Sequence, residues 1–148
     1  MADARTYPDR PYLAVSAAIV HDGKVLVVRR ARPPGQGIYT LPGGAVETGE
    51  SLTGALIREV REETTLIVEP VALAGHREVI VRDAAGRAER HFVILCFAAR
   101  WIAGEPKPSE EVDEARWREP AELKSLKTTD GLAEIVAEAI ARFSATKS

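Results

Sequence analysis

The stretch "GGAVETGESLTGALIREVREETTL", Gly43 to Leu66, constrains the fold more than any other part of this sequence. It reads as a glycine turn running into one amphipathic helix, and that helix must be packed by something on either side of it. Ser51 is a good N-cap residue, and Leu52, Ala55, Leu56 and Val60 form the apolar stripe. At about 100° per residue, Glu59 and Glu63 fall beside Leu52 and Leu56, with Glu62 one step around. The three carboxylates therefore border the buried stripe, while Arg58 and Arg61 project from the opposite side. Like charges spaced three and four residues apart lie within mutual reach and destabilise a helix by a few tenths of a kcal/mol per pair, roughly, when exposed. Two explanations stand open: a plain charged face, or a site for a hard cation, which takes oxygen ligands and reverses the sign of that repulsion. The position beside the apolar stripe favours the cation. Gly43 and Gly44 add a backbone that can approach a ligand closely or take positive φ, and Glu50 enters at the start of the helix.

The flanking segments supply the packing. "YLAVSAAIV" and "KVLVVRR" read as strands around His21-Asp22-Gly23, whose Asp-Gly pair signals a hairpin. "ARPPGQG" reads as a loop and "IYTLP" as a short extended piece. After the helix, "LIVEPVALAGHREVIVR" and "ERHFVILCFAARW" are rich in Val, Ile, Leu and Phe and are separated by a turn at Asp83 to Gly86. "GEPKPSEEVDE" reads as a loop, "ARW" as a short strand, "PAELKSL" as a helical turn and "DGLAEIVAEAIARF" as a closing amphipathic helix. This pattern predicts a single α/β domain over residues 1–148, a mixed sheet between helices, with residues 1–11 as a polar tail.

Composition excludes several classes. With 45% apolar and 28% charged residues, wholesale disorder is excluded. A net charge of -2 and a pI near 6.0 argue against a nucleic-acid-coating surface. No apolar run approaches a membrane span, and no h-region follows the N-terminus. The single cysteine, Cys96, has no internal partner and sits in "HFVILCFAA", which reads as a buried small residue in a reducing, cytoplasmic setting.

Gly44, Glu50, then "REVREETTL" resembles the Nudix box, G-x5-E-x7-R-E-U-x-E-E-x-G-U, over residues 44–66. Gly44, Glu50, Arg58, Glu59, Val60, Glu62, Glu63 and Leu66 match, and similarity extends from about Tyr12 to about Phe143. Thr65 stands where the family has glycine, so the helix is expected to end by a different turn geometry, aided by the Thr64 or Thr65 hydroxyl.

The resemblance implies an α/β/α Nudix fold and Mg²⁺-dependent hydrolysis of a nucleoside diphosphate linked to another group, with Mn²⁺ able to substitute. It implies Glu59, Glu62 and Glu63 as metal ligands, the Gly43 carbonyl as an addition, and Glu50 as an outer or second-metal carboxylate. Arg58 would hold the carboxylates, alongside an ordinary pairing with Glu62. The general base comes either from a helix glutamate or from Glu110, Glu111 or Glu114 ahead of Trp117, and Glu111 is the choice among the three. Arg29, Arg30 or Arg32 could meet phosphate or base, with Gly44 close to the substrate. Adjacent strand residues face opposite ways, so at most one of Arg29 and Arg30 enters a given site. Trp101, Trp117, Tyr39 and Phe92 read as core before they read as base-stacking surfaces, and His21, His76 and His91 lack ligand spacing. ADP-ribose is the favoured substrate, against oxidised nucleoside triphosphates. A nucleotide-binding regulator and an isomerase using Cys96 are the readings from other classes. The expected partner is a small nucleotide, with no nucleic acid and no membrane, and assembly as a homodimer is left open.

Overall fold

The computed structural model describes residues 5–145. The first strand, β1 (Tyr12–His21), is the spine of a mixed sheet. It pairs parallel with β6 (Ala88–Ala103) from Tyr12↔Phe92 to Val20↔Arg100. A near-continuous apolar strand suits a position covered on both faces. Alternate residues divide accordingly: Val15, Ala17 and Ile19 join one core with the first helix, and Ala18 joins a second core with the last helix. The expected α/β/α layering is what forms.

β2 (Lys24–Arg30) returns antiparallel from the hairpin, where Asp22 and Gly23 both have positive φ, 51° and 75°. That matches the twist of a type I′ turn. β3 (Tyr39–Thr40) and β7 (Val112–Arg118) flank β2 on its two edges. β7 starts earlier than the sequence suggests: Val112 and Glu114 belong to the strand because Val112 is buried with Val28 and Ala115. The loop therefore ends at Glu111.

The short β4 (Gly43–Ala45) lies against β1 with Ser16↔Gly43 and Val15↔Gly44. Neither glycine has positive φ. Close approach is what requires them: a Cβ on Gly43 would overlap the Val15 carbonyl oxygen, and one on Gly44 would overlap the Glu59 carboxylate.

α1 (Leu52–Thr64) starts as expected, with Ser51 Oγ accepting from the Gly54 N–H at 3.0 Å. Leu56 and Val60 are fully buried, worth about 1.5–3 kcal/mol each in area removed from water. Its end corrects the expectation of a different turn geometry. Thr65 does adopt the left-handed conformation, φ 70°, and its N–H caps the Arg61 carbonyl. That conformation costs a β-branched residue about 1–2 kcal/mol. Thr65 Oγ1 offsets part of this by donating to the Glu105 carbonyl at 2.7 Å, and Thr64 Oγ1 donates to the Val60 carbonyl.

β5 (Ile67–Arg82) and β6 form a long antiparallel arm closed by the turn at Asp83, whose carboxylate accepts from the Ala85 and Arg87 N–H groups. The segment before β1 is pinned to this arm, with Tyr7 Oη donating to Asp83 at 2.9 Å. A 3₁₀ turn (Pro120–Ser125) leads to α2 (Leu132–Ala145), which buries Leu132, Val136, Ala139 and Phe143. No helix among the described residues is long and apolar enough to cross a membrane.

Candidate active site

Arg58 organises the carboxylates of α1. Its Nε and Nη2 donate to the two oxygens of Glu50, at 2.6 and 2.9 Å, and Nη2 also reaches the Ala45 carbonyl. Nη1 donates to Glu59 at 2.8 Å and to Glu62 at 3.3 Å. The pairing with Glu62 is thus the longest of five hydrogen bonds. A forked guanidinium suits this bidentate grip. Arg58 and the Glu47 N–H hold the Glu50 carboxyl down to a pKa of about 2. With both oxygens of Glu50 committed to Arg58, its direct partner is the arginine, which ties β4, the turn and the helix together.

Glu59 packs its carboxylate onto Gly44, and burial raises its pKa against the pull of Arg58. Glu63 is more deeply placed. Burial, then the neighbouring charge of Glu59, push its carboxyl up to about 8, against a hydrogen bond from the Gly43 N–H and the positive charge of Arg30. Glu59, Glu62, Glu63, Ser109, Glu110 and Glu111 line a cavity of about 280 Å³. Ser109 Oγ is buried there with no hydrogen-bond partner among the described residues. Among the described residues no three acids already converge as a ready-made ligand cluster, since Glu59 and Glu62 lean on Arg58 and repel one another. An all-oxygen donor set, an orphaned hydroxyl and like charges crowded by burial fit a hard divalent cation.

The loop brings Glu111 to this cavity from the other side of the sheet edge, with its backbone carbonyl accepting from Ala31 at 2.9 Å. Glu110 also faces the cavity and lies 3.8 Å from Arg32. Glu114 does not. It points from β7 to Arg118 at 2.6 Å and to the Tyr39 hydroxyl at 3.1 Å.

The cavity opens into a cleft of about 760 Å³, which shares Glu59, Glu62, Glu63 and Glu111. Strand alternation separates the two arginines: Arg30 lines the cleft, with Nε on the Pro34 carbonyl, whereas Arg29 pairs with Asp113 at 2.7 Å and is not among the lining residues. Arg32, Gly43 and Gly44 also line it. Of the four aromatic candidates only Phe92 does so. Trp101 and Trp117 pack against His21 beside the α1 core, and Tyr39 packs in the α2 core. Cys96 reaches the cleft floor, but burial raises its thiol pKa against the hydrogen bond that Ser16 Oγ donates to its Sγ at 3.1 Å, which makes it a poor nucleophile. Sequence reasoning missed Arg77, Val79, Arg90 and Ile94, which also line the cleft. The alternation "R-E-V" in β5 hints at a polar residue sharing a face with apolar ones, yet only pairing decides which face that is.

The NUDIX domain model matches residues 10–139. The ADP-ribose pyrophosphatase of Methanocaldococcus jannaschii is 36% identical over 107 residues, 72% of this chain and 61% of that protein. The mouse 8-oxo-dGDP phosphatase is 32% identical over 69% of this chain, but the match spans only 29% of its length. Among solved structures, a MutT NUDIX hydrolase from Burkholderia pseudomallei superposes with a TM-score of 0.76 at 27% identity, covering 88% of this chain and 98% of that one. With the domain model matching most of the chain and the fold superposing on a Nudix hydrolase, this chain belongs to the Nudix family of pyrophosphohydrolases, which generally use divalent cations.

Proposed function

We propose that the protein is a Mg²⁺-dependent hydrolase that cleaves the diphosphate linkage of a nucleoside diphosphate derivative, with ADP-ribose the first candidate. The observation that carries this reading is the meeting of Glu59, Glu62, Glu63 and Glu111 at one end of a cleft large enough for such a nucleotide. Glu59, Glu62 and Glu63, with the Gly43 carbonyl, would hold the cation. When bound, it would supply charge neutralisation on the diphosphate oxygens and a more acidic bound water. Arg58 and Glu50 keep the glutamates in position from outside that shell. Arg30 faces the same end and offsets negative charge on the phosphates. Glu111, on a loop opposite the helix, is placed to take a proton from the attacking water, and a helix glutamate is the other candidate for that proton.

The likeness to an ADP-ribose pyrophosphatase supports the substrate. A second reading, hydrolysis of oxidised purine nucleotides, is favoured by the likeness to the mouse 8-oxo-dGDP phosphatase. A purely nucleotide-binding role sits poorly with a complete set of box carboxylates. A product-resolved screen of nucleoside diphosphate derivatives and oxidised nucleotides with Mg²⁺ decides among them. AMP and ribose 5-phosphate from ADP-ribose are the expected products, and no turnover of any compound refutes the hydrolase reading.

A further inference from the structure

The floor of the cleft is one face of the sheet. Ala45 pairs with Ala14, Ala14 with Ile94, and Ile94 with Arg77, so a single row crosses β4, β1, β6 and β5. All four residues of that row line the cleft. The β4 end of the row adjoins Gly43 and Gly44, where the Glu59 and Glu63 carboxylates pack. The β5 end is Arg77, whose backbone lies three strand spacings away, about 14 Å.

Arg77 is half-buried, and among the described residues it makes no hydrogen bond or ion pair. Other half-buried arginines of the molecule are spent within the fold: Arg58 on Glu50, Arg118 on Glu114, Arg30 on the Pro34 carbonyl. Among the described residues that line this part of the cleft, Val79, Phe92, Ile94, Cys96 and Ile135 are apolar or neutral, Arg90 adds a second positive charge, and the guanidinium charge of Arg77 is felt by the Cys96 thiol. A partly desolvated guanidinium with five unspent donors gains from an acceptor that a ligand brings. An apolar floor containing a phenyl ring accepts the face of a planar base.

We propose that Arg77 is the specificity-determining residue of this cleft: its guanidinium takes hydrogen-bond acceptors at the end of the nucleotide remote from the diphosphate, while the base lies on Val79, Phe92 and Ile94. This rests on the hydrolase reading for where the diphosphate sits. Paired acceptors come from two sources, the keto edge of a purine or an additional phosphate. Guanine offers O6 and N7 side by side, whereas adenine sets an amino donor next to N7. A guanine base or a remote phosphate would therefore gain a contact at this end that the plain adenine compound, the first candidate by likeness, does not make.

The test compares wild type, Arg77→Met and Arg77→Lys, each checked for an unchanged melting curve. Each is assayed with Mg²⁺ on ADP-glucose, GDP-glucose, ADP-ribose and 2′-phospho-ADP-ribose, and titrated calorimetrically with ADP and GDP. Arg77→Met should raise KM about tenfold on the compound that wild type prefers, with kcat within about twofold, and the preference should collapse. Loss of a GDP-glucose preference assigns the base edge, and loss of a 2′-phospho preference assigns the phosphate. Arg77→Lys should retain a phosphate preference but not a base preference, because it keeps the charge and loses the fork. If Arg77→Met misfolds, Arg77→Gln, which also removes the charge, carries the comparison, and wild-type KM values on all four compounds in that variant would then overturn the proposal. Unchanged KM values in a folded Arg77→Met, or an even fall in kcat on every compound, also overturn it. Should wild type hydrolyse nothing, the hydrolase reading fails separately. The calorimetry still decides: weaker nucleotide binding by Arg77→Met supports the role of Arg77, while equal affinities, or no binding by wild type, refute it.

Discussion

The two ends of the cleft are built in opposite ways. At the acidic end, Glu50, Arg58, Glu59, Glu62 and Glu63 come from one short stretch of chain, and Arg58 ties Glu50, Glu59 and Glu62 into a network before any ligand arrives. At the far end, Arg77, Val79, Phe92 and Ile94 come from two strands, beside Leu132 and Ile135 of α2, and Arg77 has no partner among the described residues. Charge that must be held at fixed spacing for chemistry is placed on a helix and braced. The end suited to choosing a ligand is left with unspent donors on a flat apolar floor, where changing one side chain alters preference without disturbing the charge network.

The sharpest way to break that contrast is at the acidic end. Glu63→Gln should lower kcat by at least about a thousandfold, since a ligand for the charge-neutralising cation is lost. It should melt no earlier than wild type, because removing a buried carboxylate beside Glu59 relieves repulsion. Added Mg²⁺ should raise the melting temperature of wild type and not of the variant, and chelation should reverse the shift. Near wild-type turnover in Glu63→Gln would mean that the acidic end is a plain charged surface.

Next in size is the loop. Glu111→Gln should cost about a hundredfold or more in kcat with little change in KM, and the loss should shrink as pH rises and hydroxide substitutes. Glu114→Gln should act on stability instead, through Arg118 and Tyr39. If Glu111→Gln is silent, the proton goes to a helix glutamate and the acidic end is complete without the loop.

Arg58 sharpens the meaning of bracing. Arg58→Lys keeps one charge but loses the fork, and should cost about 1–3 kcal/mol in stability and about tenfold or more in kcat. The Glu50 carboxyl titrates near 2 when folded against about 4.3 unfolded, so the folded state favours its charged form. Its contribution is therefore present above the unfolded value and lost as pH falls from about 4.3 toward 2. Glu50→Gln should be less stable than wild type at pH 7, and the two should converge across that acid range in parallel denaturant melts.

The smallest effect belongs to Thr65. Thr65→Ala keeps the left-handed strain and loses the bond to Glu105, so it should lose about 1 kcal/mol. Thr65→Gly also relieves the strain and should melt above Thr65→Ala. The reverse order would show that the left-handed cap carries no strain.

Much of this was legible in advance. The Asp22-Gly23 hairpin, the start of α1 at Ser51, the turn at Asp83 and the closing helix all follow from local preferences for particular backbone shapes. The glutamates of α1 share an edge of the helix because its period is intrinsic. Three features were not legible. β7 begins at Val112 because burial against Val28 outweighs the acids around it. Thr65 keeps the left-handed cap because its hydroxyl donates a hydrogen bond to the Glu105 carbonyl of a distant loop. Glu111 and Glu114, three residues apart in an acidic run, part company because the strand pairing turns one to the cavity and the other to Arg118.

The amino-acid sequence by itself determined the order of elements, the family and the carboxylates of α1, because spacing along one helix translates directly into spacing in space. Only the tertiary structure decided that Glu110 and Glu111 but not Glu114 reach their cavity, which of Arg29 and Arg30 enters the cleft, and that Arg77 lies at its far end. Those placements depend on strand partners far apart in the chain, Arg30 with Val112 and Arg77 with Ile94, and on a pleat in which a one-residue shift moves a side chain to the opposite face.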